Sequence, residues 1–210
     1  MPAKRNMSET ASAPASAESV QTPRPARFLY FTRGLWNFVA VGLALAVKAI
    51  ADSSVPPWAY ALLGAVVLAA QAWRVWGAGF VGRAARGGRP VAGALVTAGP
   101  YALVRNPMYL GTVTGVLAFA GMSGLWPVVL ADGFIVGVVY SGAVAYEEAF
   151  LAGRFGESYR RYRQAIRRFL PSRRIYSERR GRFRLADGLA NEAGSLVFLP
   201  LFFSLFWFVD

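Results

Sequence analysis

The 210 residues are 55% hydrophobic with a mean hydropathy of +0.37, and the apolar residues fall in long blocks, which excludes an ordinary soluble domain and points to a membrane protein. The net charge of +12 reads as membrane topology and contact with an anionic phospholipid surface rather than nucleic-acid binding. With no Cys and no His, disulfides, a thiolate nucleophile, the usual general base and the commonest metal ligand are all missing; no metal site is expected, and chemistry must rest on carboxylates, Tyr, Arg or a bound cofactor.

Residues 1–27 are rich in Ser, Ala, Pro and Glu and read as a disordered tail, not a signal peptide. Phe28, Leu29, Tyr30, Phe31 and Trp36 look like an interfacial aromatic belt, and Leu35 to Ala51 is a first span of about the minimum length for a bilayer. Lys48, near its far end, is expected to snorkel to water. Pro56 and Pro57 start a second span, Trp58 to about Trp76, followed by a basic loop from Arg83 to Arg89.

Pro107 to Met122 is a third apolar segment, short for a span. A turn at Gly121 to Gly124 leads into a fourth, Leu125 to Tyr146. Gly111/Gly115 and Gly133/Gly137 have the spacing that lets membrane helices approach closely. Asp132 lies near the turn and is expected to be hydrated. The segment Arg154 to Arg184 carries twelve arginines, and Leu189 to Val209 is apolar again, either a fifth span or an interfacial helix. Lys and Arg cluster in the tail, after the second span and after the fourth, and the positive-inside rule places those three stretches in the cytoplasm.

Two polar stretches flank the third and fourth segments, so the hairpin returns both to one membrane surface. The first, Gly99-Pro100-Tyr101 to Arg105-Asn106-Pro107-Met108-Tyr109-Leu110-Gly111, ends in a helix start, with Asn106 as N-cap and Pro107 as first residue. Free N–H groups and the positive end of the dipole there favour an anion, and Arg105 adds a full charge. The second begins with Glu147-Glu148. Neighbours on a helix point about 100° apart, so one of these acids faces a ligand while the other pairs with arginines or faces water. Farther on, Phe155, Tyr159, Tyr162, Ile166 and Phe169 recur every three or four residues, as on an amphipathic helix lying on the membrane, and Tyr159 and Tyr162 can stack on or hydrogen-bond a ligand.

On these stretches, together with Phe155-Gly156, Arg168, Phe169 and Pro171, the chain resembles the integral-membrane methyltransferases that include isoprenylcysteine carboxyl methyltransferase and the phospholipid N-methyltransferases. The likeness covers roughly Gly77 to Pro171. The family's pattern has His where this chain has Asn106 and Pro where it has Arg167; Asn donates and accepts hydrogen bonds but does not become cationic.

The resemblance implies an all-α membrane protein with four to five transmembrane or interfacial helices and a cytoplasmic pocket for S-adenosylmethionine. It implies cofactor contacts from Tyr101, Arg105, Asn106, Pro107, Tyr109 and Gly111 on one wall and Glu147, Glu148, Tyr159 and Tyr162 on the other. Glu147, Glu148 and Arg168 are the catalytic candidates, the acids to take a proton from an amine acceptor and the arginine to position an anionic one. The acceptor is expected to be a membrane lipid or another lipophilic small molecule. The implied organisation is a tail (1–27), an N-terminal transmembrane hairpin (28–76), a methyltransferase core (77–171), a basic linker (172–188) and a C-terminal hydrophobic helix (189–210), in a bacterial inner membrane with the N-terminus and both motifs cytoplasmic. The rival readings are a sterol-type NADPH-dependent membrane reductase and a non-enzymatic scaffold or lipid-binding protein.

Overall fold

The structure, a computed structural model, describes residues 24–51, 53–82, 93–172 and 175–209. Residues 1–23 of the tail and the basic loop from Arg83 to Arg89 lie outside them. The described residues form six α-helices: α1 (Arg24–Ile50), α2 (Pro57–Val81), α3 (Pro107–Gly121), α4 (Trp126–Ala165), α5 (Leu185–Asn191) and α6 (Ala193–Phe208). A 3₁₀ turn, Gly99–Ala102, precedes α3.

Helices α1, α2 and α4 are long and apolar enough to cross a membrane, and α5 and α6 reach that length and hydropathy only as a pair bent by 58°, a broken span or a re-entrant loop. Helix α3 has 15 residues, about 22 Å at 1.5 Å per residue, short of a hydrocarbon core of about 30 Å. Proline sits in the first turn of α2, α3 and α4, where its missing N–H costs no intrahelical hydrogen bond. Helix α1 begins at Arg24 and takes in the aromatic belt, several residues before the expected onset.

Helix α1 packs chiefly on α4, and α2 on α3 and α5. Ala40, Ala44, Val67, Val116, Phe119, Val136, Tyr140 and Phe206 belong to the main core, while Leu35, Leu62, Phe134 and Val197 are exposed on the outside, as a bilayer-facing surface requires. The glycine pairs divide in their use. A Cβ on Gly111 would meet the Ala70 carbonyl oxygen at 2.9 Å, so α2 and α3 touch backbone to backbone there, whereas a Cβ on Gly137 would meet nothing within 4 Å.

Three expectations change at this level. Lys48 does not reach water: it is 2% exposed, with its ammonium 5.9 Å from the Tyr60 ring centroid. Asp132 is fully buried rather than hydrated, because α4 starts at Trp126 and carries it well over a turn inward. The helix expected to lie on the membrane beyond Phe155 is instead the end of α4, which breaks direction at Gly156 (φ 50°, ψ −120°). That left-handed φ strongly favours glycine. Past the break, Tyr159, Tyr162 and Ile166 turn inward onto Leu95 and Tyr176 in a small second core.

Candidate functional site

The stretch before α3 and the stretch after α4 are joined along their backbones. The Arg105 N–H donates to the Arg167 carbonyl at 2.8 Å, Asn106 N–H to the Arg168 carbonyl at 3.1 Å, and Ser172 N–H to the Leu103 carbonyl at 2.9 Å. The first stretch is itself held against α2. Gly99 (φ +61°) lies so close to Phe80 that a Cβ would sit 2.2 Å from its ring, and the Trp73 indole donates to the Pro107 carbonyl at 2.9 Å.

Glu147 and Glu148 part as helical neighbours must. Glu148 is 6% exposed and lies between two arginines: Arg105 Nη2 at 3.3 Å and Arg168 Nη2 at 2.7 Å, with Arg168 Nε also donating at 3.1 Å. That hydrogen bond holds the Arg168 guanidinium more firmly protonated than usual. Glu147 points the other way, into a cavity of about 840 Å³.

Tyr101, Arg105, Asn106, Pro107, Tyr109, Glu147, Tyr159 and Tyr162 all line that cavity. Gly111 does not; it is taken up by the α2 contact. Glu148 lies behind Arg105, and Arg168 is on the outer side with its side chain 46% exposed. Burial pushes the Tyr101 hydroxyl well above the ordinary phenol range, so it stays neutral. The Tyr162 hydroxyl donates to the Tyr101 carbonyl at 2.7 Å, fixing a ring whose centroid is 6.2 Å from that of Tyr159.

Asn106 occupies the N-cap position of α3 but makes no capping hydrogen bond with its side chain. Its Nδ2, and Nε and Nη1 of Arg105, are buried without a partner among the described residues. Buried donors are seldom left unmatched. Both residues line the cavity, which makes this stretch the candidate place for an external acceptor, best an anion.

Sequence reasoning missed Arg33, Asn37, Arg74, Thr112 and Tyr140, which also line the cavity. Arg33 lies over the Tyr30 ring, 4.0 Å from its centroid. Tyr140 donates to Asn37 at 2.9 Å. Arg74 donates to Thr112 and pairs with the buried Glu192 at 2.7 Å, and Gln71 and Ser195 also donate to Glu192. The available signal was polar residues set singly inside apolar helices.

Residues 58–158 match the phospholipid methyltransferase family. Over 77 residues the chain is 34% identical to the protein-S-isoprenylcysteine O-methyltransferase of Schizosaccharomyces pombe, covering 37% of this chain and 33% of that protein. The family match covers 101 of the 210 residues, a little under half of the chain, and together with the isoprenylcysteine relative it supports an isoprenylcysteine and phospholipid methyltransferase-like family. The cobalt-zinc-cadmium resistance protein CzcN of Cupriavidus metallidurans is 30% identical over 82 residues, 39% of this chain and 38% of that protein. The matches thus span about a third of the length of these curated relatives, 33% and 38%. No solved structure matches the chain. The family match takes in α3, the paired acids and the helix break at Gly156, while α1, Tyr159 and Tyr162, which also line the cavity, lie outside it.

Proposed function

We propose that the protein transfers a methyl group from S-adenosylmethionine to a lipophilic acceptor. The observation that carries this reading is the set of partnerless buried donors on Arg105 and Asn106, two neighbours that line the same cavity as Glu147. The residues fit the cofactor. Arg105 and Asn106 would take its carboxylate beside the positive end of α3, Glu147 its amino group or ribose hydroxyls, and Tyr159 or Tyr162 would cover the adenine. A volume of about 840 Å³ lies within the range of small-molecule sites.

When bound, the cofactor supplies an electrophilic methyl on a sulfonium, and displacement at that carbon asks for alignment and exclusion of water more than for a strong base. Tyr30, Phe31, Phe80, Tyr109, Phe150 and Leu151 give much of the cavity an apolar lining. Glu148, itself held by Arg168, acts as a positioning residue that fixes Arg105 in the cavity lining through its Nη2. Glu147 receives the proton when the acceptor is an amine; Arg33 and Arg74 steady an acceptor that carries negative charge.

Residues 77–171 form the proposed methyltransferase core. The distribution of basic residues supports an orientation with the N-terminus and both motif stretches in the cytoplasm, and the lack of Cys and His beside abundant Ala, Gly and Arg is compatible with a bacterial inner membrane.

Titration calorimetry on the detergent-solubilised full chain tests the reading. S-adenosylmethionine binding that is lost in Arg105→Ala supports it, and NADPH binding in its place, or no binding of either, overturns it. Isotopic methyl transfer to extracted membrane lipids then asks for the acceptor.

A further inference from the structure

Between α4 and α5 the chain runs as a non-helical strap, Glu178 to Arg184, past Thr97 and the end of α2. Its backbone is pinned at both ends. The Thr97 N–H donates to the Arg180 carbonyl at 2.9 Å, the Arg180 N–H donates to the Thr97 hydroxyl oxygen at 2.9 Å, and the Arg184 N–H donates to the Gly79 carbonyl at 3.0 Å. One side of the strap faces the protein. Gly181 lines the main cavity beside Phe80 and Val96, and the Phe183 ring centroid lies 5.5 Å from that of Phe80. Gly181 has φ +124°, and a Cβ there would sit 3.3 Å from Val96, so backbone alone closes this part of the cavity wall.

The other side is charged. Arg179, Arg180, Arg182 and Arg184 are all exposed, against one acid in the strap, Glu178. Arg180 pairs with Glu178 at 3.1 Å and Arg184 with Asp187 at 3.6 Å, whereas Arg179 and Arg182 have no acidic partner among the described residues. Apolar side chains lie open among these charges: Phe183 is 46% exposed, and Leu185 and Leu189, just past the strap, are 55% and 45% exposed. Leu185 opens α5, where the chain turns into the apolar α5–α6 pair. Guanidinium groups beside an aromatic ring and leucines, at the point where a chain enters the bilayer, suit the headgroup boundary, with the charges among phosphates and the apolar groups below them. A soluble acidic partner matches the charge but leaves Phe183 and Leu185 in water. The strap also lies outside residues 58–158, the part that matches the family.

We propose that residues 178–184 dock on anionic phospholipid headgroups, with Arg179 and Arg182 taking the phosphates, and that docking holds Gly181 in the wall of the main cavity. Lipid that binds the seated strap favours the state in which that wall is complete, so the charge of the leaflet is linked to ligand affinity in the cavity. The link rests on the methyltransferase reading for its ligand, S-adenosylmethionine; the lipid contact itself is measured without any ligand.

The chain has no Cys, so a nitroxide on Ser177→Cys reports on the strap alone. The full chain is placed in phosphatidylcholine nanodiscs with and without phosphatidylglycerol, and the mobile and immobile fractions of the label are read by electron paramagnetic resonance. Phosphatidylglycerol is expected to move the label toward the immobile form, and high salt to reverse this by screening. An arginine at an anionic surface is worth about fivefold in such an equilibrium. Arg179→Gln together with Arg182→Gln is therefore expected to lower the immobile-to-mobile ratio roughly thirtyfold in the anionic discs, while Lys at both positions retains most of the response. S-adenosylmethionine affinity, measured by calorimetry in the same discs, is expected to be about fivefold tighter with phosphatidylglycerol, and the glutamine pair is expected to remove that difference. The same spectrum in both lipids, equal loss of response in the lysine and glutamine pairs, or immobilisation by heparin in phosphatidylcholine discs as strong as by phosphatidylglycerol overturns docking on lipid. Docking with equal cofactor affinity in both lipids leaves the surface standing and removes its link to the cavity. If S-adenosylmethionine binds in neither lipid while the label responds, the methyl-transfer reading falls and the docking surface stands.

Discussion

Arg105 and Glu148 are 43 positions apart in the chain, yet Nη2 of the first lies 3.3 Å from a carboxylate oxygen of the second, with both side chains nearly out of solvent. Removing one partner of a buried pair costs about 3–5 kcal/mol, because the charge left behind has lost its neutralising contact. Glu148→Gln strands Arg105 and is expected to lower stability on that scale, seen as a fall in the thermal unfolding midpoint in detergent. Arg168→Gln, at the exposed end of the cluster, is expected to lower it much less.

Arg105 and Asn106 differ in what they offer a ligand. A hydrogen bond to a charged group is worth about 1.5–3 kcal/mol, so Arg105→Ala is expected to weaken S-adenosylmethionine binding by roughly ten- to a hundredfold. Asn106→Ala removes one neutral donor, worth about 1 kcal/mol, and is expected to weaken it about fivefold. Calorimetric titration checks both, and equal losses would show that the charge of Arg105 is not what the ligand meets.

Gly188 and Gly137 make a matched test of packing. A Cβ on Gly188 would lie 2.5 Å from the Val75 carbonyl oxygen, whereas one on Gly137 would meet nothing within 4 Å. Gly188→Ala is expected to destabilise by about 1–3 kcal/mol through overpacking. Gly137→Ala is expected to stabilise by about 0.5–1 kcal/mol, as alanine does in a helix interior. Thermal unfolding of the two variants side by side reads the difference in sign.

Asp132 is wholly buried on α4, and neither carboxylate oxygen has a hydrogen-bond partner among the described residues. A buried acceptor without a donor costs about 1–3 kcal/mol. Asp132→Leu, which removes the polar atoms, is expected to raise the unfolding midpoint and to leave S-adenosylmethionine affinity unchanged. A loss of affinity would tie this carboxylate to the site instead.

The meeting of the two motifs was legible because it follows from topology: two apolar segments with an uncharged tight turn between them return their outer ends to one place. The opposite directions of Glu147 and Glu148 follow from helical geometry alone. The parts that were not legible depend on which way each helix is rotated. Arg33, Asn37 and Arg74 are isolated polar residues in apolar runs, and only packing against α3 and α4 turns them toward a common space. The Tyr159–Tyr162–Ile166 spacing shows an apolar face, but periodicity does not tell whether lipid or protein covers it. Here Leu95 and Tyr176 do. Likewise the bend before α6 is fixed by Glu192, whose partners Arg74 and Gln71 lie more than a hundred residues earlier.

The backbone seam between residues 105–106 and 167–168 has an outcome for how the protein is made. A ribosome that has delivered α1 through α3 to the membrane has already supplied Arg33, Arg74 and Arg105 of the cavity, but the strip that fastens Arg105 in place emerges only after α4 has been threaded and folded past Gly156. The pocket is therefore a late product of biogenesis. A chain cut short just before Arg167 would insert its helices in the bilayer and still be without a finished binding chamber.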